Sequence, residues 1–369
     1  MGSSACYFLA KQGSRVLGLE QFDIVHDQGS HSGQSRIIRK AYFEHPDYVP
    51  LLERAYRNWR VFEEETRSEI YYRTGIVYFG KPDHDTMSGI KKSASLYKVP
   101  VETLTASQSQ QKFPLFKIPP DFETLVEPDA GFVTPERAIR LYATQAIAHG
   151  ATINTREQVR SWKQDGQLIK VLTDKGAYTA DKLIITAGSW ASGIIPGLKP
   201  TLKVTRQMLA WVKPKRQELF LLGNFPCWFI EDPDRGMFYG FPFLQKEKFE
   251  GPQGLKLAHH QPGSVVDPDR VDRTPSAEEK ENLRYILSKY IPEAEGDVLE
   301  IKTCLYTYTA DENFIIDHLP DHDKRVTIAC GFSGHGFKFV SVVGEILADL
   351  SMKGRTDLPI EFLSLSRFR

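Results

Sequence analysis

The sequence predicts an α/β fold that includes part of a dinucleotide-binding βαβ unit, on three observations. Residues 3–11 favour a helix, and residues 15–20 favour a short buried strand that ends in an acid. Residues 183–185 are a second strand-sized apolar run that enters a glycine turn, and residues 326–330 are a third that enters a glycine-rich loop. Glycines between a strand and a helix let the backbone approach a ligand closely.

The first twenty residues predict the later part of the βαβ unit: helix, turn, strand and acid. Gly13 follows the helix as a C′ residue, and Gly2 matches the third glycine of a G-x-G-x-x-G fingerprint. Glu20 stands where an acid hydrogen-bonds the adenosine ribose, although strands often end in a surface acid. We expect an in-frame upstream stretch of about ten to fifteen residues to encode the first strand and first two glycines. A short protein with a defective cofactor site is the alternative.

Apolar spacing and capping residues predict the remaining elements in chain order. Helices are predicted over residues 47–67, over residues 134–150 with Pro135 in the first turn, and from the capping box at residues 276–279 to residue 290. Another helix follows the glycine-rich loop to about residue 352 and is closed by Gly354. Strands are predicted over residues 75–79, 168–173 and 177–180, with one short strand around 255–258 inside a loop region at 250–268.

Composition excludes several classes of protein. The 369 residues correspond to about two and a half domains, and 41% hydrophobic with 25% charged residues is ordinary for a globular protein. The 47 basic residues balance 47 acidic residues, so we expect no nucleic-acid partner that depends on a broad basic field. No apolar run approaches the roughly 18 residues of a membrane-spanning helix, so we expect no membrane partner.

The four cysteines, Cys6, Cys227, Cys304 and Cys330, form no C-x-x-C pair. This spacing argues against a zinc ribbon or a thioredoxin-like motif, and no metal site is expected. Scattered cysteines in a long chain are typical of reduced thiols, and the N-terminus lacks the pattern of a secretory signal. We therefore expect a cytoplasmic protein.

Residues 29–42 place small and polar residues before two arginines. Arg36 and Arg39 are three residues apart and would share one face if this stretch turns helically. Guanidinium groups there could bind phosphate, flavin or a substrate carboxylate, and a solvated basic face is the alternative.

The loop at residues 331–338 is a more specific signal, because a purely structural turn rarely needs three glycines together with two titratable groups. The residues concerned are Gly331, Gly334, His335, Gly336 and Lys338. Cys304 lies in a predicted strand, where a cysteine is usually an inert part of the core.

Four segments together resemble the monomeric sarcosine oxidase family, in order and in approximate spacing. They are G-S-H-x-G-x-x-R-I-I-R-x-A-Y, T-C-L-Y-T, D-E-x-F-I-I-D and G-F-S-G-H-G-F-K-F. The chain also resembles the N-methyltryptophan oxidases, over its whole length and more loosely at residues 81–130 and 213–255. The resemblance implies a D-amino acid oxidase-like fold. In it, a Rossmann-like FAD-binding domain (residues 1–80, 130–200 and 305–369) is interleaved with an α+β substrate domain that carries an antiparallel sheet (residues 81–129 and 201–304).

The resemblance implies a monomeric flavoenzyme that oxidises sarcosine or another N-methylated or secondary amino acid. The amine passes a hydride equivalent to FAD and becomes an imine, which water hydrolyses to formaldehyde and the primary amino acid when the leaving group is methyl. Oxygen then takes the electrons and becomes hydrogen peroxide. Two alternatives stay open: an oxidase of a cyclic imino acid or a fructosyl amino acid, and a non-catalytic remnant without flavin.

The resemblance also implies roles for individual residues. Cys304 matches the cysteine that the family bonds to the flavin 8-methyl group through sulfur. Arg39 and Lys338 match the pair that grips the substrate carboxylate, a planar fork beside a point charge. Lys256 matches the lysine near flavin N5, where a fixed cation would stabilise the negative charge that develops on oxygen.

Further residues are implied to surround the substrate or the cofactor. Tyr239, His260 and Tyr306 match residues of the substrate pocket, and Arg36 matches an arginine over the flavin ring. Contacts with FAD are implied for Gly2, Glu20, Ser30, His31, Ala187, Gly188, Gly331, Gly334, His335, Gly336 and Lys338. Ser32 is a departure, because the family has the second of two adjacent histidines there; we expect it to alter flavin tuning and the rate of flavin attachment.

Overall fold

The computed structural model describes residues 1–195, 197–199, 201–260 and 263–368. The helices are α1 (Gly2–Lys11), α2 (Tyr48–Thr66), α3 (Asp85–Tyr97), α4 (Ala106–Lys112), α5 (Pro135–Ala148), α6 (Ala191–Ile194), α7 (Ala277–Tyr290) and α8 (Val340–Lys353). The strands are β1 (Leu17–Leu19), β2 (Arg36–Ile38), β3 (Tyr71–Tyr72), β4 (Ile76–Gly80), β5 (Glu102–Leu104), β6 (Glu123–Glu127), β7 (Gly131–Val133), β8 (Thr152–Asn154), β9 (Val159–Asp165), β10 (Leu168–Thr173), β11 (Ala177–Ala180), β12 (Leu183–Ile185), β13 (Lys203–Pro214), β14 (Cys227–Asp232), β15 (Gly236–Leu244), β16 (Gly254–His259), β17 (Gly296–Tyr308), β18 (Ile315–His318) and β19 (Val326–Cys330).

Short parallel strand pairs build the first part of the fold. β1 pairs with β8 and β12 pairs with β19, both in parallel, and β18 runs antiparallel to β19. Helices α1, α5 and α8 pack beside these strands. Aromatic rings pack between α1, α2 and α5, with Phe62 and Tyr142 stacked at 3.9 Å between ring centroids and Tyr7 at 5.2 Å from Phe62. Because β12 and β19 are parallel neighbours, the glycine turns that follow them lie at the same edge of this sheet.

A large sheet of mixed direction builds the second part. Its strand order is β17-β13-β16-β15-β14-β4-β6-β5, and its neighbours are antiparallel except for the parallel pair of β14 with β4. The long pairing of β13 with β17 sets Gln207 opposite Cys304, and the pairing of β13 with β16 sets Trp211 opposite Lys256. Helix α7 contributes Leu283, Ile286 and Tyr290 to the core on this sheet.

The predicted fold class is confirmed, since the fold combines parallel strand–helix units with a mostly antiparallel second sheet. The capping box from Ser276 to Glu279 opens α7, and Gly354 closes α8 with a φ of 70°. The hairpin strands lie at residues 168–173 and 177–180 as predicted.

Several elements were not predicted, among them α3, α4, β9 and most strands of the large sheet. Strands β13 to β15 are buried along nearly all of their length, so they lack the polar–apolar alternation by which a half-buried strand is recognised. Strand β15 also holds Gly240 and Pro242, which weakened the strand signal further.

The predicted division into two interleaved domains stays a prediction, and its limits at residues 200 and 369 lie outside the described residues. Strand β4 pairs within the large sheet, although the division assigns residues up to 80 to the other domain. Within the described ranges, none of the helices is long and apolar enough to cross a membrane.

Candidate active site

A cavity of about 1420 Å³ runs from the parallel strands to the buried face of the large sheet. It is larger than the roughly 300–1,000 Å³ of ordinary small-molecule pockets, so it has room for more than one ligand. Most of the site residues predicted from the sequence line it: Gly2, Glu20, Ser30, His31, Arg36, Arg39, Ala187, Gly188, Tyr239, His260, Tyr306, Gly331, Gly334, His335, Gly336 and Lys338.

The first end of the cavity has the features of a dinucleotide site. The N-terminus of α1 lies in its wall, and backbone N–H groups at a helix N-terminus attract phosphate. At Gly2 an added Cβ would lie 2.9 Å from Thr186 Oγ1, so the turn after β12 approaches the helix closely. The Glu20 carboxylate follows β1 and accepts a hydrogen bond from the Phe22 N–H at 2.9 Å.

His31 and Arg36 continue the wall towards the middle of the cavity. Burial is the main cause that lowers the pKa of His31 to about 3, and the charge of nearby His26 is the second cause. The His31 ring is therefore neutral at pH 7. Its buried Nε2 atom has no hydrogen-bond partner among the described residues, which leaves it available to a ligand. Arg36 is fixed by backbone carbonyls, with Nη2 donating to Ser30 at 2.9 Å and to Ser32 at 2.5 Å.

The arginines at positions 36 and 39 do not share a helical face, so that expectation was wrong. Residues Arg36–Ile38 form β2 and pair with β7. Arg39 directly follows β2, and side chains three residues apart along an extended backbone point to opposite faces. The polar stretch before β2, residues 29–35, forms no helix. Arg36 turns back to the serine carbonyls of its own loop, whereas Arg39 reaches the far end of the cavity.

Arg39 and Lys338 bring two cations to that far end. Arg39 is 1% exposed and donates through Nη2 to both carboxylate oxygens of Glu44, each at 2.7 Å. Lys338 is buried at the start of the segment that leads into α8, and its Nζ donates to the His335 carbonyl at 2.7 Å and to the Tyr42 hydroxyl at 3.3 Å. Burial, and then Arg39, lowers the pKa of Lys338 to about 7.

Glu44 is a site residue that the sequence analysis missed. Burial favours its neutral form, but Arg39, His335 and Lys338 outweigh burial and lower its pKa to about 2. Glu44 is therefore ionised at neutral pH and neutralises one cation of the pair. An acid five residues after Arg39 was the available signal, and nothing in the sequence alone showed that the loop folds back.

The glycine-rich loop positions His335 and Lys338. Gly334 has a φ of 80°, a left-handed conformation, and an added Cβ there would overlap the ring of Tyr306. His335 is held from both ring nitrogens, by the Tyr42 hydroxyl at 2.6 Å and by the Glu312 carbonyl at 3.0 Å. Burial is the main reason that its pKa falls to about 3.

Tyr239, Tyr306 and His260 form an uncharged wall of the same cavity. The two tyrosine hydroxyls lie 3.3 Å apart, and the His260 ring lies 5.9 Å from each tyrosine ring. Burial raises the pKa of both tyrosines and lowers that of His260 to about 4. All three groups are neutral at pH 7.

Lys256 and Cys304 lie behind the wall rather than on it. Lys256 is fully buried, which excludes a solvated strand lysine, and its Nζ donates to the Gly33 carbonyl at 2.5 Å and the Ser35 carbonyl at 2.6 Å. Burial, and then Arg36, lowers its pKa well below the usual value. Cys304 is buried in β17, and burial raises the pKa of its thiol. Its neighbours Leu305 and Tyr306 line the cavity.

Comparison with known proteins agrees with a dinucleotide-cofactor oxidoreductase. A model of the family described as FAD dependent oxidoreductase matches residues 1–350. A monomeric sarcosine oxidase of Streptomyces avermitilis is 39% identical over 98% of this chain and 93% of its own length. An N-methyl-L-tryptophan oxidase of Yersinia pestis is 32% identical over 100% of this chain and 97% of its own length.

Solved structures share the fold at lower identity. NikD, an amino acid oxidase of nikkomycin biosynthesis, superposes with a TM-score of 0.85 at 24% identity, covering 98% of this chain and 94% of its own. The L-proline dehydrogenase of P. horikoshii gives 0.83 at 24% identity, covering 99% and 94%. The chain belongs to the FAD-dependent oxidoreductases and, among them, to the family of monomeric sarcosine oxidases and N-methyl-L-tryptophan oxidases.

Proposed function

We propose that this protein oxidises sarcosine or another small N-methyl or secondary amino acid, with FAD as cofactor and oxygen as electron acceptor. The observation that carries the proposal is that buried Arg39 and Lys338 line the same cavity as the neutral residues Tyr239, Tyr306 and His260. Two cations suit a carboxylate, and a neutral polar wall suits an uncharged secondary amine. The products are the primary amino acid, formaldehyde when a methyl group is removed, and hydrogen peroxide.

The end of the cavity proposed to bind the substrate carboxylate already holds an acid, Glu44, beside its two cations. Glu44 already occupies the guanidinium fork of Arg39, so a bound carboxylate either shares the fork or displaces Glu44 from it. Lys338 has no carboxylate at hydrogen-bonding distance among the described residues, only the His335 carbonyl and the Tyr42 hydroxyl. The substrate carboxylate therefore adds a negative charge where one cation is unmatched, and it favours the protonated form of Lys338.

Two observations support FAD binding at the first end of the cavity. The buried Nε2 of His31 has no partner among the described residues, and the turn after β12 approaches the N-terminus of α1 closely. When bound there, FAD supplies the electron-accepting chemistry that no side chain of the site offers. The N-terminus of α1 would receive the phosphates, Glu20 the ribose, and Arg36 and His31 the flavin end.

Cys304 is proposed to form the covalent link to FAD. Its place in β17, next to two residues of the cavity wall, supports this role. Holoenzyme precipitated with acid should retain its flavin, and Cys304→Ser should release it or yield apoprotein. The buried Cys227→Ser is the matched control and should retain the flavin. Free flavin in the wild-type supernatant would contradict the covalent link.

Lys256 is proposed to serve oxygen. Its two carbonyl partners accept hydrogen bonds and stabilise an ammonium, which compensates in part for burial. A fixed positive charge next to the cofactor would stabilise the negative charge that appears on oxygen during electron transfer, and would do so without reorganising.

The substrate class is tested with purified holoenzyme and a panel of amines. The panel holds sarcosine, other N-methyl amino acids, L-proline and fructosyl-glycine, with oxygen uptake, hydrogen peroxide and formaldehyde measured together. We expect the highest kcat/KM for an N-methyl amino acid and little turnover of sarcosine amide, which lacks the carboxylate. Fastest turnover of L-proline or fructosyl-glycine would move the protein to a related oxidase, and equal turnover of sarcosine and its amide would overturn the carboxylate site.

A further inference from the structure

Lys256 is held by a turn of backbone rather than by an acid. Its Nζ donates to the carbonyls of Gly33 and Ser35, with the Ser35 hydroxyl at 3.4 Å. The rings of Phe241 and Trp211 lie 4.7 Å and 5.7 Å from the same atom and close the other side. The position of the ammonium group therefore depends on where these two carbonyl groups point.

The turn adopts a backbone conformation that needs outside support. Gly33 and Gln34 have φ values of 113° and 69°, in the left-handed region where a non-glycine residue such as Gln34 is strained. An added Cβ at Gly33 would lie 2.5 Å from Leu209 Cδ1, so any other residue would displace the leucine side chain and also strain the backbone. Such a strained turn keeps its shape only if surrounding groups fix it.

Glu136 supplies that support from the first turn of α5. Its Oε1 accepts from the Gly33 N–H at 2.7 Å and from the Gln34 N–H at 3.1 Å, and its Oε2 accepts from the Gln34 N–H at 3.2 Å. The N–H groups of the turn thus bind the carboxylate, while its carbonyls bind Lys256. The buried side chain of Gln34 adds a second anchor, accepting from Trp211 Nε1 at 2.9 Å.

We infer that Glu136 is a positioning residue for Lys256, acting through the turn at residues 33–35. The peptide groups of the turn lie between the two charged side chains and orient the two carbonyls that hold the ammonium. The inference about position rests on these contacts alone, and its consequence for oxygen rests on the proposed function of Lys256.

A second cavity of about 700 Å³ makes the inference testable. Glu136, Gly33 and Gln34 all line it. Water can therefore reach the two N–H groups when the carboxylate is removed, which reduces the cost of leaving them without a protein partner. In Glu136→Gln the remaining amide oxygen can still accept from both N–H groups, so this variant removes the charge and keeps the acceptor.

Crystal structures of the holoenzyme variants test the positional link directly. We expect the carbonyls of Gly33 and Ser35 to move from Lys256 Nζ by about 1 Å in Glu136→Ala, enough to break hydrogen bonds of this length, and to stay in place in Glu136→Gln. Glu63→Ala is the matched control, because Glu63 accepts from the N–H groups of Ile70 and Tyr71 at 2.6 Å and 2.7 Å and lines neither cavity. Unchanged contacts in Glu136→Ala would overturn the inference.

Rapid-mixing kinetics test the consequence. Glu136→Ala should slow the reaction of reduced enzyme with oxygen on the order of tenfold to a hundredfold, the scale of a misplacement of about 1 Å, while anaerobic reduction by substrate stays within about threefold. Glu136→Gln should react with oxygen at nearly the wild-type rate, and Glu63→Ala should change neither the reaction with oxygen nor the reduction by substrate. An equal loss in Glu136→Gln would show that the charge matters and overturn positioning. If Lys256→Met itself reoxidises at the wild-type rate, the proposed oxygen role of Lys256 is wrong. The positioning of Lys256 by Glu136 is then decided by the crystal structures alone.

Discussion

Arg39, Glu44 and Lys338 form a buried cluster with two cations and one anion. The Glu44 carboxylate offsets the burial of Arg39 and raises the pKa of the guanidinium above its usual value. Among the described residues, no carboxylate lies at hydrogen-bonding distance from Lys338 Nζ, and burial lowers the pKa of Lys338 to about 7. The cluster is thus short of one negative charge, which is the electrostatic basis for binding a carboxylate.

Removing either cation should weaken carboxylate binding more than it weakens binding of a neutral ligand. We expect Arg39→Met or Lys338→Met to lose about 2–5 kcal/mol of binding free energy for a small carboxylate inhibitor, the range for truncating one partner of a buried charge pair. Titration of the flavin absorbance with an acid and with its amide measures this difference. Equal affinity of the wild type for acid and amide would contradict the carboxylate site.

Carboxylate binding should also depend on pH through Lys338. The ammonium form is present below pH 7 and is lost as the pH rises through the pKa of about 7, whereas Glu44 stays ionised down to about 2. The inhibitor Kd should therefore rise above pH 7, by up to about tenfold per pH unit, because binding takes up one proton. Lys338→Met should give a flat profile between pH 6 and pH 9. A flat wild-type profile would show that Lys338 does not titrate in this range.

At the scale of elements, the loop between β19 and α8 connects the cofactor side of the cavity to the substrate side. Gly334 allows close packing on Tyr306, and the end of the loop places Lys338 near Arg39. The loop, β12 with its turn, and α1 were all predictable, because buried strands next to glycines and helix caps are local sequence signals.

A substitution at Gly334 should disrupt this loop. Gly334→Ala combines a left-handed φ with overlap on Tyr306, and we expect a loss of about 2–4 kcal/mol in the free energy of unfolding together with reduced flavin content. Gly354→Ala is the control, because its φ is 70° but the nearest atom, Lys324 Cδ, is 3.6 Å away. It should cost about 1 kcal/mol and retain the flavin. Chemical denaturation with absorbance measures both, and equal losses would contradict a packing role for Gly334.

At the scale of the whole molecule, the cavity is lined by both parts of the fold. One end is proposed to bind the cofactor and the other end the substrate. The large sheet supplies Tyr239, Lys256 and Tyr306, while the segment after β2 supplies Arg39 and the loop after β19 supplies Lys338. Residues far apart in the chain also meet behind the cavity wall, where Lys256 contacts the turn at Gly33.

The fold class was predicted from the sequence, and most of the proposed site residues line the cavity, but the contacts that hold them were not predicted. The identities of Arg39, Lys256 and Lys338 came from motifs and from resemblance to a family. Glu44 and Glu136 were missed, because each acts through a loop whose path is set by tertiary packing rather than by local propensity. Their roles become visible only when the backbone of residues 29–45 is placed against the rest of the fold.

The measurement that tests the central claim most directly is rapid mixing of Lys256→Met and Lys338→Met holoenzymes. The claim is that one lysine serves oxygen and the other serves substrate. Lys256→Met should slow reoxidation by about 10²-fold or more, with a much smaller loss in anaerobic reduction by substrate. Lys338→Met should show poor substrate saturation and nearly normal reoxidation. Wild-type reoxidation in Lys256→Met, or equal losses in both steps for both variants, would contradict this division of the site.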